Sequence, residues 1–175
     1  MSLLLISASL NPSSNSRLLV REAARVLAAD GIETATLDLR ELPLPLCDGA
    51  TAYSHPNVAR AGALIAAAGG ILAATPVYNY DANAALKNLI ELTGGSWEDK
   101  VVGFLCAAGG PSSYMSIMAL ANSLMLDFRC LIVPRFVYAT DAAFAGDRIA
   151  DPEVAQRVAE CARAAVRLAR ALRDG

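Results

Sequence analysis

Apolar and polar positions along this chain fall into repeating blocks. Leu3 to Ile6 is an unbroken apolar run that leads into Ser7-Ala8-Ser9-Leu10-Asn11-Pro12-Ser13-Ser14-Asn15-Ser16, a segment rich in turn and cap residues. That order reads as a buried strand entering a loop. From Arg17 the spacing becomes helical, with Leu19, Ala23, Val26 and Leu27 on one face and Asp30-Gly31 as the stop. Ile32 to Leu39 alternates apolar with polar side chains and predicts a second strand, while Leu42 to Asn57, with three prolines, predicts an irregular connection.

The blocks then recur. Val58 to Ala68 is Ala-rich and helical, and Ile71 to Ala74 is a third buried strand that meets Thr75-Pro76. Asn83 to Leu92 predicts a helix with Leu86, Leu89 and Ile90 on one face, stopped by Gly94-Gly95. Val101 to Ala107 predicts a fourth strand, Ser112 to Leu126 a fourth helix, and Cys130 to Val133 a fifth strand before Pro134. Asp151-Pro152-Glu153 sets a cap, a first-turn proline and a first-turn acid in sequence and opens the last helix. Val154, Val158, Cys161, Ala165, Leu168 and Leu172 form its apolar stripe, and Arg157, Arg163, Arg167, Arg170 and Arg173 fall off it. Five strands alternating with five helices predict an α/β fold: a doubly wound parallel sheet with helices on both faces. The 175 residues are expected to form one domain, 1–175. In such sheets a ligand sits beyond the carboxyl ends of the strands, so the loops after strands one, three and four carry the interest.

Composition narrows the function. Hydrophobic residues make up 55% and charged residues 18%, which excludes disorder and implies a large buried core. The net charge is −2 and no Lys/Arg block appears, so neither nucleic acid nor an anionic membrane surface is expected as a partner. The uncharged stretches Ala61 to Tyr80 and Val101 to Leu126 are interrupted by Gly69-Gly70, Pro76 and Gly109-Gly110-Pro111, and read as buried elements rather than membrane spans. No basic region precedes the first apolar run, so no secretory signal is read there. Cys47, Cys106, Cys130 and Cys161 lack the short paired spacings of a zinc site or redox dithiol and are expected as buried thiols. A soluble cytoplasmic protein is the expectation.

The first loop holds Ser9, Asn11, Ser13, Ser14, Asn15 and Ser16 and opens onto a helix N-terminus. Free amides there, with the helix dipole behind them and hydroxyls close by, favour an anion. Capping alone needs one or two such residues. No Gly-rich dinucleotide fingerprint, Gly-Lys-Ser/Thr, cysteine nucleophile or acidic magnesium pair accompanies the loop, which leaves a monophosphate held by hydroxyls and amides. After strand three, Thr75-Pro76-Val77-Tyr78-Asn79 forms a rigid turn whose amides and aromatics suit a flat heteroaromatic ring or, equally, simple packing. After strand four, Gly109-Gly110 leaves room for close approach.

Taken together these loops resemble the NADPH-dependent FMN reductase family. Ala8-Ser9-Leu10-Asn11-Pro12-Ser13-Ser14-Asn15-Ser16 matches its Gly-Ser-x-Arg-x-x-Ser phosphate loop, Pro76-Val77-Tyr78-Asn79 with Leu86-Lys87-Asn88 its second motif, and Gly109-Gly110 its third. Ala8 stands where that family has glycine, and Asn11 where it commonly has arginine; Arg17, close in sequence, is expected to lend positive potential. The resemblance implies a flavodoxin-like five-stranded parallel sheet of order 2-1-3-4-5. It implies that Ser9, Asn11, Ser14, Asn15 and Ser16 hold the FMN phosphate, and that Thr75, Pro76, Val77, Tyr78, Asn79, Gly109 and Gly110 line the ring. It further implies hydride transfer from NADPH or NADH to FMN with no catalytic acid or base from the protein. The lone His55 is accordingly expected to be an incidental surface residue. An FMN-bound reductase of quinones, azo compounds or metal oxyanions, and a non-enzymatic flavodoxin-like electron carrier, are the alternatives. The uncharged Ser112 to Leu126 segment, apolar on more than one face, is expected to join a homodimer or homotetramer.

Overall fold

The computed structural model describes residues 1–174. At its centre lies β1 (Leu3–Ser7), buried along its whole length because strands flank it on both edges and helices cover both faces. Leu3 and Leu5 point into one core, Leu4 and Ile6 into the other, as the two-residue period of a strand requires. The first core is closed by α1 (Asn15–Ala29) and α5 (Pro152–Asp174); the second by α2 (Pro56–Ala67), α3 (Ala84–Thr93) and α4 (Met118–Phe128). β1 pairs in parallel with β2 (Thr34–Asp38) on one side and β3 (Gly70–Tyr78) on the other, and β3 pairs in parallel with β5 (Val101–Ala108). Beyond β5 lie β6 (Leu131–Ile132) and β7 (Val137–Thr140), both parallel to it. The sheet order is thus the expected 2-1-3-4-5, with β5 in fourth place and β6 and β7 sharing the fifth. Gly103 marks how tightly α5 sits on it: a Cβ there would stand 2.7 Å from Leu72 Cδ2 and 3.1 Å from Cys161 Sγ.

Several boundaries differ from the sequence reading. The third strand does not stop at Ala74 but runs to Tyr78, so Thr75 to Tyr78 is strand rather than loop. Pro76 is tolerated because β1 has already ended opposite Ala74, leaving no strand on that side to miss a donor. Asn79 and Tyr80, with φ of 50° and 65°, then turn the chain into β4 (Asp81–Ala82), which pairs antiparallel with β3 as a two-residue hairpin. The fourth helix starts at Met118, not Ser112; Pro111–Ser113 forms a 3₁₀ turn first. The fifth strand pauses at Pro134 and resumes as β7, and a small hairpin of β8 (Phe144–Ala145) and β9 (Arg148–Ile149) precedes α5. His55 serves local structure, since its Nδ1 accepts the Asn57 amide at 3.1 Å and caps α2.

Cys106, Cys130 and Cys161 are buried free thiols, but Cys47, in the irregular segment before α2, is only partly buried; burial pushes Cys106 and Cys161 up to about 12 and Cys130 up to about 11, so these three stay protonated. Among the described residues no helix is long and apolar enough to cross a membrane.

Candidate functional site

The carboxyl ends of β1, β3 and β5 lie side by side, and the chain segments that leave them form the site. β1 ends at Ser7, after which the Ala8 amide donates to Ala74 O at 2.9 Å and starts the loop toward α1. Ser9 is buried, and its Oγ accepts the Asn11 amide at 3.3 Å; Asn11 Oδ1 in turn accepts the Ser13 amide at 3.0 Å. These two bonds curl the loop back on itself. Ser14 occupies the N-cap position of α1, with extended backbone, yet it makes no capping hydrogen bond. Its Oγ bonds instead to the buried Ser16 Oγ at 2.8 Å. With the Ser14 cap unused, the start of α1 presents the Asn15 and Ser16 amides and a hydroxyl pair to whatever lies in front, the Arg17 amide being taken by Ser14 O at 3.2 Å.

Asn15 takes a different place. Its Nδ2 donates to Asp141 Oδ1 at 3.0 Å, fastening α1 to the turn after β7. Arg17 does not face the seat as a free cation: it forks onto Asp38 and onto carbonyls of the loop itself. Burial pushes the Asp38 carboxyl up, but the bonds from Arg17 and the Arg40 amide, with their charges, outweigh it and hold the group below the usual carboxylate range. The pair is ionised at neutral pH, and the positive potential expected of Arg17 is compensated.

The β3–β4 hairpin is rooted by Asn83, a residue the sequence reading used only to begin a helix. Its Oδ1 caps α3 by accepting the Leu86 amide, its Nδ2 donates to Ala8 O at 2.8 Å, and its amide donates to Thr75 Oγ1 at 3.2 Å. Thr75 is therefore fully buried and bonded, as a root of the hairpin rather than part of its surface. Pro76 and Val77 are buried too, whereas Tyr78, Asn79 and Tyr80 are exposed. Asn88, from the same motif, binds Pro45 O at 2.9 Å and the Cys47 amide at 2.8 Å, which pins the irregular segment over α3. Beneath that segment opens an apolar cleft of about 440 Å³, bordered by Leu10, Leu39, Pro43, Leu44 and Ala84.

Gly109 and Gly110 follow β5. Neither has a positive φ, and a Cβ on Gly110 would meet no protein atom within 4 Å. Gly103 lacks room for a side chain because Leu72 and Cys161 press on it, whereas the space a side chain would take at Gly110 holds no other protein atom. Tyr138 Oη donates to Gly110 O at 2.6 Å, and Tyr114 packs against both Phe136 (5.1 Å) and Tyr138 (5.5 Å), bracing this loop. Tyr138 and Asp141 escaped the sequence reading because Pro134 hid β7, which carries the first and leads into the turn that carries the second.

The adjacent carboxyl ends of β1, β3 and β5 thus bring to one side of the sheet Ser9, Asn11, Ser14 and Ser16 from the first loop, Val77 and Tyr78 from the end of β3 with Asn79 from its turn, and Gly109 and Gly110 from the loop after β5. An uncapped helix start and an unfilled glycine edge are what a phosphate and a flat ring need.

A family model described as NADPH-dependent FMN reductase matches residues 1–145. The NAD(P)H-dependent FAD/FMN reductase of Geobacillus thermodenitrificans (strain NG80-2) is 29% identical over 147 residues, covering 82% of this chain and 80% of that relative. Among solved structures, an oxidoreductase from Corynebacterium diphtheriae is similar with a TM-score of 0.77 at 22% identity, covering 95% of each chain. FerB, a flavoenzyme NAD(P)H:(acceptor) oxidoreductase from Paracoccus denitrificans, is similar with a TM-score of 0.78 at 20% identity, covering 97% of each chain. At those identities the likeness is one of fold.

Proposed function

The chain belongs to the NADPH-dependent FMN reductase family of flavin oxidoreductases, and from that premise we propose where its expected cofactors, FMN and NAD(P)H, engage it. The phosphate is held by the first-turn amides of α1 with the hydroxyls of Ser9, Ser14 and Ser16, and Asn11 shapes the loop around it. The observation that carries this assignment is the unused N-cap: the Ser14 and Ser16 hydroxyls bond to each other while the helix start stays open. Tyr78 and Asn79 at the hairpin, the Val77 backbone, and Gly109 with the open Gly110 border the ring, with Thr75 and Pro76 as its buried support and Asn15 fixing the seat against Asp141. When bound, FMN supplies the hydride acceptor for a reduced nicotinamide, so the protein needs only to position two planar partners and keep them stacked.

Residues 1–175 act as one flavin-binding unit in this reading, in a reducing compartment such as the cytoplasm, where four unpaired cysteines persist. The unit assembles as a homodimer or homotetramer. Leu120 and Leu124 are buried against the sheet, but Tyr114, Met115, Met118, Met125 and Leu126 remain exposed, Met115 at 63% and Leu126 at 77%. The binding surface on the 112–126 segment is therefore this outer row.

Stopped-flow mixing of the FMN-loaded protein with NADPH or NADH tests the activity, and steady-state kinetics separate its forms. Sequential patterns with free FMN mark a flavin reductase. Ping-pong turnover of a quinone, azo compound or metal oxyanion marks a reductase that retains its flavin.

A further inference from the structure

Arg17 sits within the first turn of α1, where a cation would ordinarily be assigned to the phosphate, yet every guanidinium nitrogen is engaged elsewhere. Nε donates to Asp38 Oδ2 at 2.9 Å and Nη2 to Asp38 Oδ1 at 3.2 Å, a two-pronged pairing. Nη2 also reaches Ser9 O at 3.2 Å, while Nη1 reaches Asn11 O at 2.8 Å and Pro12 O at 3.3 Å. The two side chains are only 14% and 19% exposed. Asp38 itself closes β2 and is held from another side by the Arg40 amide at 3.0 Å. One guanidinium therefore ties the end of an edge strand to three carbonyls of the phosphate loop.

A trans peptide carries its carbonyl and the next amide on opposite sides. Carbonyls of Ser9 and Pro12 drawn toward Arg17 thus turn the Leu10 and Ser13 amides to the other side of the loop, where Asn11 Oδ1 takes the Ser13 amide and the Leu10 amide is left for the anion; the Asn11 carbonyl precedes Pro12, which has no amide to turn. Without this clamp a segment so rich in serine and asparagine has many competing local turns. We propose that Arg17 is a positioning residue that does not touch the phosphate: with Asp38 it holds the loop with its carbonyls drawn in and its anion-binding groups outward. The inference rests on the flavin assignment above and deepens it. Attraction for the phosphate then comes from amides, hydroxyls and the helix dipole, because Asp38 compensates the Arg17 charge.

The clamp and a direct phosphate contact differ in the sign of one substitution. Asp38→Asn releases the guanidinium: a phosphate ligand set free binds FMN more tightly, whereas a clamp deprived of its anchor binds FMN more weakly. Titrations of FMN, and of riboflavin as the phosphate-free comparator, are followed by flavin fluorescence for the wild-type chain, Asp38→Asn and Arg17→Lys. The expected result is a loss of FMN affinity of roughly ten-fold or more in both variants, since charge-assisted bonds organise the loop. Riboflavin affinity stays near that of the wild type. FMN affinity unchanged or increased in Asp38→Asn overturns the clamp. So does wild-type FMN affinity in Arg17→Lys, which keeps the charge but not the fork and decides the matter if Asp38→Asn does not fold. Equal losses for FMN and riboflavin also overturn it, as general loosening of the fold. A wild-type chain that fails to bind FMN overturns the flavin assignment itself, and the clamp's purpose with it.

Discussion

Ser14 and Ser16 hold each other's hydroxyls at 2.8 Å in front of an open helix start, and the cost of removing them measures the seat. Ser14→Ala combined with Ser16→Ala is expected to weaken FMN binding several-fold or more, since each bond to a charged group is worth about 1.5–3 kcal/mol; equilibrium titration reading an unchanged affinity would contradict the assignment. Gly110 gives a complementary test. Its methyl-sized neighbourhood holds no protein atom, so Gly110→Ala should leave urea stability within about 0.5 kcal/mol while lowering flavin affinity. A third test is one of pH. Asp48 accepts from the Ala52 and Ala50 amides and the Thr51 hydroxyl, which hold its carboxyl down at about 2. The stabilisation it gives the 48–52 turn is complete above the ordinary carboxylate value of about 3.9 and is lost as pH falls through about 2. An NMR titration of this carboxyl with its midpoint near the ordinary value would contradict that. At this scale the sequence shows which residue types gather in the loop but not their partners: Arg17 reads as a cation near an anion seat, and only Asp38, twenty-one positions on, reveals it as a tie.

The element that organises the site is the hairpin leaving β3, and its root is Asn83. Asn83→Ala removes the cap of α3 and leaves Ala8 O without its buried donor, while Thr75 Oγ1 loses Asn83 Oδ1 but keeps Pro76 O and the residue-83 amide, so a loss of about 2–4 kcal/mol is expected from chemical denaturation. A change under about 0.5 kcal/mol would show that the hairpin stands without it. Long periodic helices and continuous apolar strands were legible in the sequence because their burial pattern is set locally. The hairpin and β7 were not. Pro76 and Pro134 read as the ends of strands, yet proline ends a strand only where a neighbour needs its missing donor, and that depends on where β1 stops and how β5 extends. Pro111 likewise read as a prelude to helix, whereas the chain makes a 3₁₀ turn and braced aromatics before α4 begins.

That the sheet is doubly wound was legible from the alternation of elements, because right-handed crossovers and burial of both faces leave few ways to arrange them; its order, 2-1-3-4-5, was legible only through the family resemblance. The proposed assembly rests on an excess of exposed apolar surface on and before α4. Met118→Glu puts a charge on the exposed row of α4 without entering the core, so the expected outcome is a smaller assembly in analytical ultracentrifugation with an unchanged circular dichroism spectrum. An unaltered mass would move the contact to another face. The central claim, that this sheet edge seats a flavin which a nicotinamide reduces, is tested most directly by anaerobic stopped-flow absorbance of the FMN-loaded protein mixed with NADPH or NADH. Rapid loss of the oxidised flavin spectrum is the predicted result; a flavin that binds yet keeps its colour with both nicotinamides would contradict it.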